Sequence, residues 1–202
     1  MKLKIYKIVF IILVILAVII IGLILLKYCK SYANEQDNKE IVEIFSSTID
    51  KLDEIEEIEE TNLTMQGYKI IGIIKIPKIG IEYPILDIDT YNPEETKEPM
   101  KISIVKYWGG NVNDYGNLSI AGHNTYNGTM FGNTKKLNVG DIIQLTDLRK
   151  NVIQYQVYDK FITDPNDVTI LTTKDNTIRE VTLITCTNGN RNRLILKAKE
   201  IL

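Results

Sequence analysis

The sequence predicts a mainly β domain, a sandwich or closed barrel with short helices, preceded by an N-terminal transmembrane helix and an amphipathic helix. Three observations predict this. Ile8 to Leu26 is a run of nineteen residues that is apolar apart from Gly22. Residues 35–60 then repeat apolar side chains at helical spacing on a strongly acidic background. From Tyr68 onward the chain changes to short β-rich runs bounded by Gly, Pro, Asn and Asp, and many short strands at such spacing build sandwiches and barrels. The expected organisation is a membrane anchor over 1–30, an acidic helical connector over 31–67 and a β domain over 68–202.

At helical rise, nineteen apolar residues match the thickness of a bilayer's hydrocarbon core. The run is longer than a secretory signal's apolar region and ends Leu25-Leu26-Lys27-Tyr28, with no small-x-small cleavage site. An uncleaved anchor is therefore expected. Lys2, Lys4 and Lys7 precede it, and Lys27 and Lys30 follow it. This small cationic excess favours a cytoplasmic N-terminus and an extracytoplasmic remainder.

Residues 35–60 hold eleven Asp or Glu against two Lys. Ile41, Ile44, Phe45, Thr48, Leu52, Ile55 and Ile58 recur every three or four residues, so a helix from Asn38 to Glu59 with a charged back is expected. Its acidity repels anionic head groups. Residues 61–202 carry a net charge of about +2 with no basic stripe interleaved with aromatics, so nucleic acid is not an expected partner.

The expected strands are Tyr68–Ile76, Ile81–Ile85, Ile102–Tyr107, Asn117–Ala121, Asp141–Thr146, Val152–Ile162, Val168–Leu171, Glu180–Cys186 and Arg193–Ile201, with one helical turn over Asn133–Leu137. There is no βαβ rhythm and no glycine-rich phosphate loop. Two cysteines in unlike contexts, Cys29 and Cys186, argue against a disulfide framework. One histidine and no CxxC make no zinc site, and no cofactor is expected. Glu94, Glu95, Glu98 and Asp114 match no calcium loop and read as solvated surface.

The chemistry converges on Cys186. Val181-Thr182-Leu183-Ile184-Thr185-Cys186 alternates as a strand, with Leu183 and Thr185 on one face and Ile184 and Cys186 on the other. Thr187-Asn188-Gly189-Asn190 is a turn, and Arg193-Leu194-Ile195-Leu196 returns. The resulting hairpin holds Cys186 and Arg193 near the same end of adjacent strands. A guanidinium there favours the thiolate and can donate to an oxyanion. Arg191 is the rival; Arg193 is preferred because it opens the apolar strand. His123, the sole histidine, ends the run Ile120-Ala121-Gly122-His123 at the mouth of a polar loop, where catalytic groups are commonly presented. Thr185 is a candidate hydroxyl for the oxyanion region, or simply a strand residue.

Thr182-Leu183-Ile184-Thr185-Cys186 followed by Arg193-Leu194-Ile195-Leu196 resembles the signature of the sortases. Ala121-Gly122-His123 resembles their histidine motif, and Ile73–Ile79 with Tyr83-Pro84-Ile85 resembles their early strands. The resemblance covers roughly residues 68–202. It implies an eight-stranded closed barrel and an extracytoplasmic Cys186–His123–Arg193 site. It also implies a transpeptidase that cleaves a sorting-signal peptide of a surface protein through a thioacyl intermediate and passes it to a peptidoglycan-precursor amine. Tyr107 to Asn117 departs from the family's Pro-Gly approach to the histidine. The short interval between Ile162 and Glu180 leaves little room for the long helix of class B members, and no second apolar span follows Leu202. A compact class A, D or E type is expected. A peptidase that only hydrolyses, a pilin-linking sortase and a non-catalytic β domain stay open.

Overall fold

A computed structural model describes residues 2–51, 63–88, 94–173 and 175–201. The chain divides into two compact units, Met1–Asp37 and Asn38–Leu202. Helix α1 (Lys2–Lys51) contributes to both. In the first unit its side chains from Phe10 to Leu26 are largely exposed. Among the described residues, Tyr6–Thr48 is the helical stretch long and apolar enough to cross a membrane.

In the second unit, α1 docks through Asn38, Ile41, Val42 and Phe45. The Asn38 Nδ2 donates to the Ile102 carbonyl at 2.9 Å, and Phe45 is fully buried. Ile44, expected on the buried stripe, is exposed instead. Positions 38, 41, 42 and 45 share one helical face, and 44 falls about 100° from 45. The rest of the expected amphipathic helix, from Leu52 to Glu59, lies outside the described residues.

Nine strands follow: β1 (Thr64–Met65), β2 (Tyr68–Ile76), β3 (Ile81–Leu86), β4 (Ile104–Trp108), β5 (Gly116–Ala121), β6 (Ile142–Asp147), β7 (Val152–Thr163), β8 (Arg179–Thr187) and β9 (Asn192–Glu200). Their order is β1-β2-β3-β4-β5-β8-β9-β7-β6, and β6 pairs back onto β2. Strands β2 to β9 thus form a closed eight-stranded barrel, with the two-residue β1 appended to β2. Closure removes the free edges that an open sheet would expose.

The chain over Val168–Leu171 is not the expected strand. Thr169–Leu171 forms a single 3-10 turn. Asp167 overrides the β-branched composition by accepting from the Thr169 N–H at 3.0 Å and from the Thr163 hydroxyl at 2.6 Å. The expected helical turn near Leu137 is a 3-10 turn over Thr134–Lys136.

Strand alternation builds two apolar layers. The inner layer draws Ile74, Tyr83, Ile104, Ile120, Leu145, Tyr155, Leu183 and Leu196 from all eight barrel strands. The outer layer, with Ile73, Val105, Ala121, Ile184 and Ile195, is covered by Phe45, Met65 and Ile170. Each large apolar side chain fully buried there contributes about 1.5–3 kcal/mol.

Candidate active site

Strands β5 and β8 are parallel neighbours, with Ala121 opposite Ile184. Their C-terminal ends therefore reach the same pole. Two residues beyond each of those positions stand His123 and Cys186. Strand β9 returns antiparallel to β8 and sets Arg193 directly opposite Cys186. Ala121, Ile184 and Ile195 all belong to the outer layer. Alternation puts Cys186 and Arg193 on that same outer face of neighbouring strands, and His123 stands two residues past the end of β5 at the same pole. Arg191 lies past the last paired residues, Thr187 and Asn192, in the turn.

The approach of β5 to β8 is fixed by short contacts. The Gly122 N–H donates to the Ile184 carbonyl at 3.1 Å, and the Thr185 hydroxyl donates to the Gly122 carbonyl at 2.7 Å. The Asn124 amide donates to the Cys186 carbonyl at 2.8 Å. The residues flanking His123 are thus tied to the strand that carries the thiol. Thr185 is buried on the inner face, and its hydroxyl is committed to Gly122 rather than standing beside Cys186. Sequence reasoning missed Asn124 altogether. Its signal was a carboxamide directly after the histidine, a side chain able to bridge to backbone.

Cys186 is partly exposed and free of any disulfide, and His123 is exposed at the rim. Burial of its ring, and then the Lys101 ammonium, push the imidazole below its ordinary range. The Arg193 Nη1 donates to the carbonyls of Asn190 and Asn192, both at 3.3 Å. Asn188, Gly189 and Asn190 take left-handed φ values of 51°, 64° and 71° in the tight turn between β8 and β9. Cys29 lies exposed on α1 in the other unit.

A cavity of about 730 Å3 lies at the opposite pole, around Asp147, Tyr115 and Arg179, where β5 and β8 begin. It does not include Cys186, His123 or Arg193. Arg179 there stacks on Tyr115 at 4.0 Å and pairs with Glu200 at 2.8 Å.

The family model described as "Sortase domain" matches residues 74–201. Sortase A of Bacillus anthracis is 28% identical over 132 residues, which span 65% of this chain and 59% of that protein. Among solved structures, a Clostridium perfringens sortase D5 transpeptidase is 31% identical, with a TM-score of 0.61, covering 84% of this chain and 98% of that one. Listeria monocytogenes sortase A, 24% identical, shares the fold with a TM-score of 0.56, over 66% of this chain and 88% of that one. With a family match running from β2 to the end of β9, and these strands arranged as they are, the chain belongs to the sortase family.

Proposed function

We propose that this chain is a membrane-anchored cysteine transpeptidase that cleaves sorting-signal peptides and transfers the acyl part to a cell-wall amine. The observation that carries the reading is Arg193 standing opposite Cys186 across the β8–β9 ladder, with His123 two residues past the end of the neighbouring β5. The likeness to the sortase D5 transpeptidase supports it and favours the D type among the compact classes. A sortase C of Clostridium perfringens, 20% identical and alike in fold, has been solved with a C-terminal cell wall sorting motif.

In this reading the Cys186 thiolate attacks the scissile carbonyl. The Arg193 guanidinium lowers the cost of the thiolate and donates to the oxyanion or to substrate carbonyls. His123 protonates the leaving amine and later takes a proton from the incoming one. Thr185 and Asn124 are positioning residues: they hold the histidine loop against β8. The apolar stretch of α1 anchors the enzyme in the cell membrane, with the N-terminus inside and the barrel outside, following the lysine excess before the span.

The test uses the full chain in detergent with a fluorogenic sorting-type peptide, with and without an amine acceptor. Cleavage that accelerates with acceptor and yields an amide product is expected, and Cys186→Ala should abolish both reactions. A rate indifferent to acceptor would leave a peptidase that only hydrolyses. Full activity in Cys186→Ala would overturn the mechanism.

A further inference from the structure

The loop that follows His123 carries a feature the fold does not require. Tyr126 is 110% exposed, more than any other large apolar or aromatic side chain among the described residues. It occupies the first corner of a turn closed by the Gly128 N–H on the Thr125 carbonyl at 3.3 Å. Most residue types suit that corner, so local conformation does not call for a tyrosine.

The turn is also stiff. The Thr125 hydroxyl donates to the Thr129 carbonyl at 2.5 Å, and the Thr129 hydroxyl donates to Asn127 Oδ1 at 2.8 Å. Asn133 reaches the Gly128 carbonyl at 3.4 Å. The base of the loop is pinned by the Asn124–Met130 bridge, by the Phe131 N–H on the His123 carbonyl at 3.1 Å, and by Asn124 on Cys186. A phenol ring is therefore held out in water on a rigid support that shares its root with the histidine and the thiol.

Reaction symmetry says which partner meets that ring. In acyl transfer through Cys186, the leaving amine is protonated and the entering amine deprotonated by the same imidazole. Both therefore lie on the His123 side, whereas the acyl part stays on the sulfur. The Tyr126 loop begins at His123, so it flanks the amine side.

We propose that Tyr126 is an acceptor-recognition residue, whose ring packs against the peptide that carries the incoming amine. This rests on the transpeptidase reading above. In the step concerned, the acceptor nitrogen attacks the thioester carbonyl. The C–N bond forms, the C–S bond breaks, the proton from nitrogen passes to His123 and the thiolate of Cys186 is released. Tyr126 takes no part in the bond changes; it raises the occupancy of the nitrogen at the carbonyl. Tyrosine suits the task because it offers a large face at little entropic cost.

The experiment compares two acceptors on the same acyl-enzyme, in full-length protein. Hydroxylamine carries no chain for the Tyr126 ring to pack against. A peptidoglycan stem pentapeptide with a free side-chain amine does. The readout is the ratio of stem-peptide product to hydroxamate at equal sub-saturating concentrations. Tyr126→Ala should lower this ratio about fivefold, the scale of one lost aromatic contact, and Tyr126→Phe should preserve it. An unchanged ratio in Tyr126→Ala, whether both products persist or both fall, overturns the proposal. If the unmodified protein forms neither product, the transpeptidase reading falls and takes this one with it.

Discussion

Gly122→Ala is the substitution that most directly tests how the histidine is held. A Cβ at this position would stand 2.8 Å from Ile104 Cγ2 and 2.9 Å from Phe131 Cδ2. Ordinary carbon contacts lie near 3.5–4.0 Å, so the new methyl intrudes by roughly 0.6 Å or more on each side. Ile104 and Phe131 are both fully buried, and neither can withdraw into solvent. Overpacking of this kind costs about 1–3 kcal/mol. For a domain of this size that lowers Tm by about 2–12 °C. The backbone also has reason to move, and its two anchors to β8, the Gly122 N–H on Ile184 and the Thr185 hydroxyl on Gly122, would shift with it. His123 is the next residue, and a displacement of about 1 Å can cost on the order of 100-fold in rate. The assay is thermal unfolding of the full chain in detergent, paired with sorting-peptide cleavage and peptide mapping of Cys186 alkylation. We expect a lower Tm, a fall in kcat/KM of about tenfold or more, and a thiol that still alkylates. A Tm and a kcat/KM both matching the unmodified protein would refute the view that tight packing at Gly122 positions the histidine.

Two further outcomes follow from the rim. Arg193→Lys keeps the charge but loses the planar fork, so kcat/KM should fall about tenfold or more, whereas Arg191→Ala, beyond the β8–β9 ladder, should stay within about twofold; the reverse order would mean that Arg191 serves the thiol. His123 is the only histidine, so its ring protons give a single titration by NMR. Its midpoint should lie below that of a free imidazole, because burial and the Lys101 charge both disfavour the cation, and Lys101→Gln should move it upward. A midpoint that stays put or drops in that variant would show that Lys101 does not act on the ring.

Much of the barrel was legible because its strands carry their own pattern. Tyr68–Ile76 has the predicted bounds, and the alternation of Leu183 and Ile184 maps onto the inner and outer layers. The hairpin that opposes Cys186 and Arg193 could be drawn from one turn and two flanking strands. The adjacency of β5 and β8 could not be drawn that way. Their parallel pairing joins segments some sixty residues apart, and no local signal reports it. The linking of Asn124 to the Cys186 carbonyl depends on that same pairing, so it was invisible for the same reason. Asp167 misled the reading of Val168–Leu171, because its hydrogen bonds to neighbouring backbone and hydroxyls outweigh β propensity over four residues. Ile44 and Val42 exchanged roles because the outer layer selects one helical face, which spacing alone places only to within a residue.

Strand β9 lies between β8 and β7, and it is the last barrel strand in chain order. Until it zips in, the thiol's strand has a neighbour on one flank only, and the guanidinium destined for it is not yet in place. A polypeptide lacking β9 is thus an open sheet with nothing opposite Cys186. Ring closure waits on this final rung, and with it the register that brings Arg193 across from the thiol.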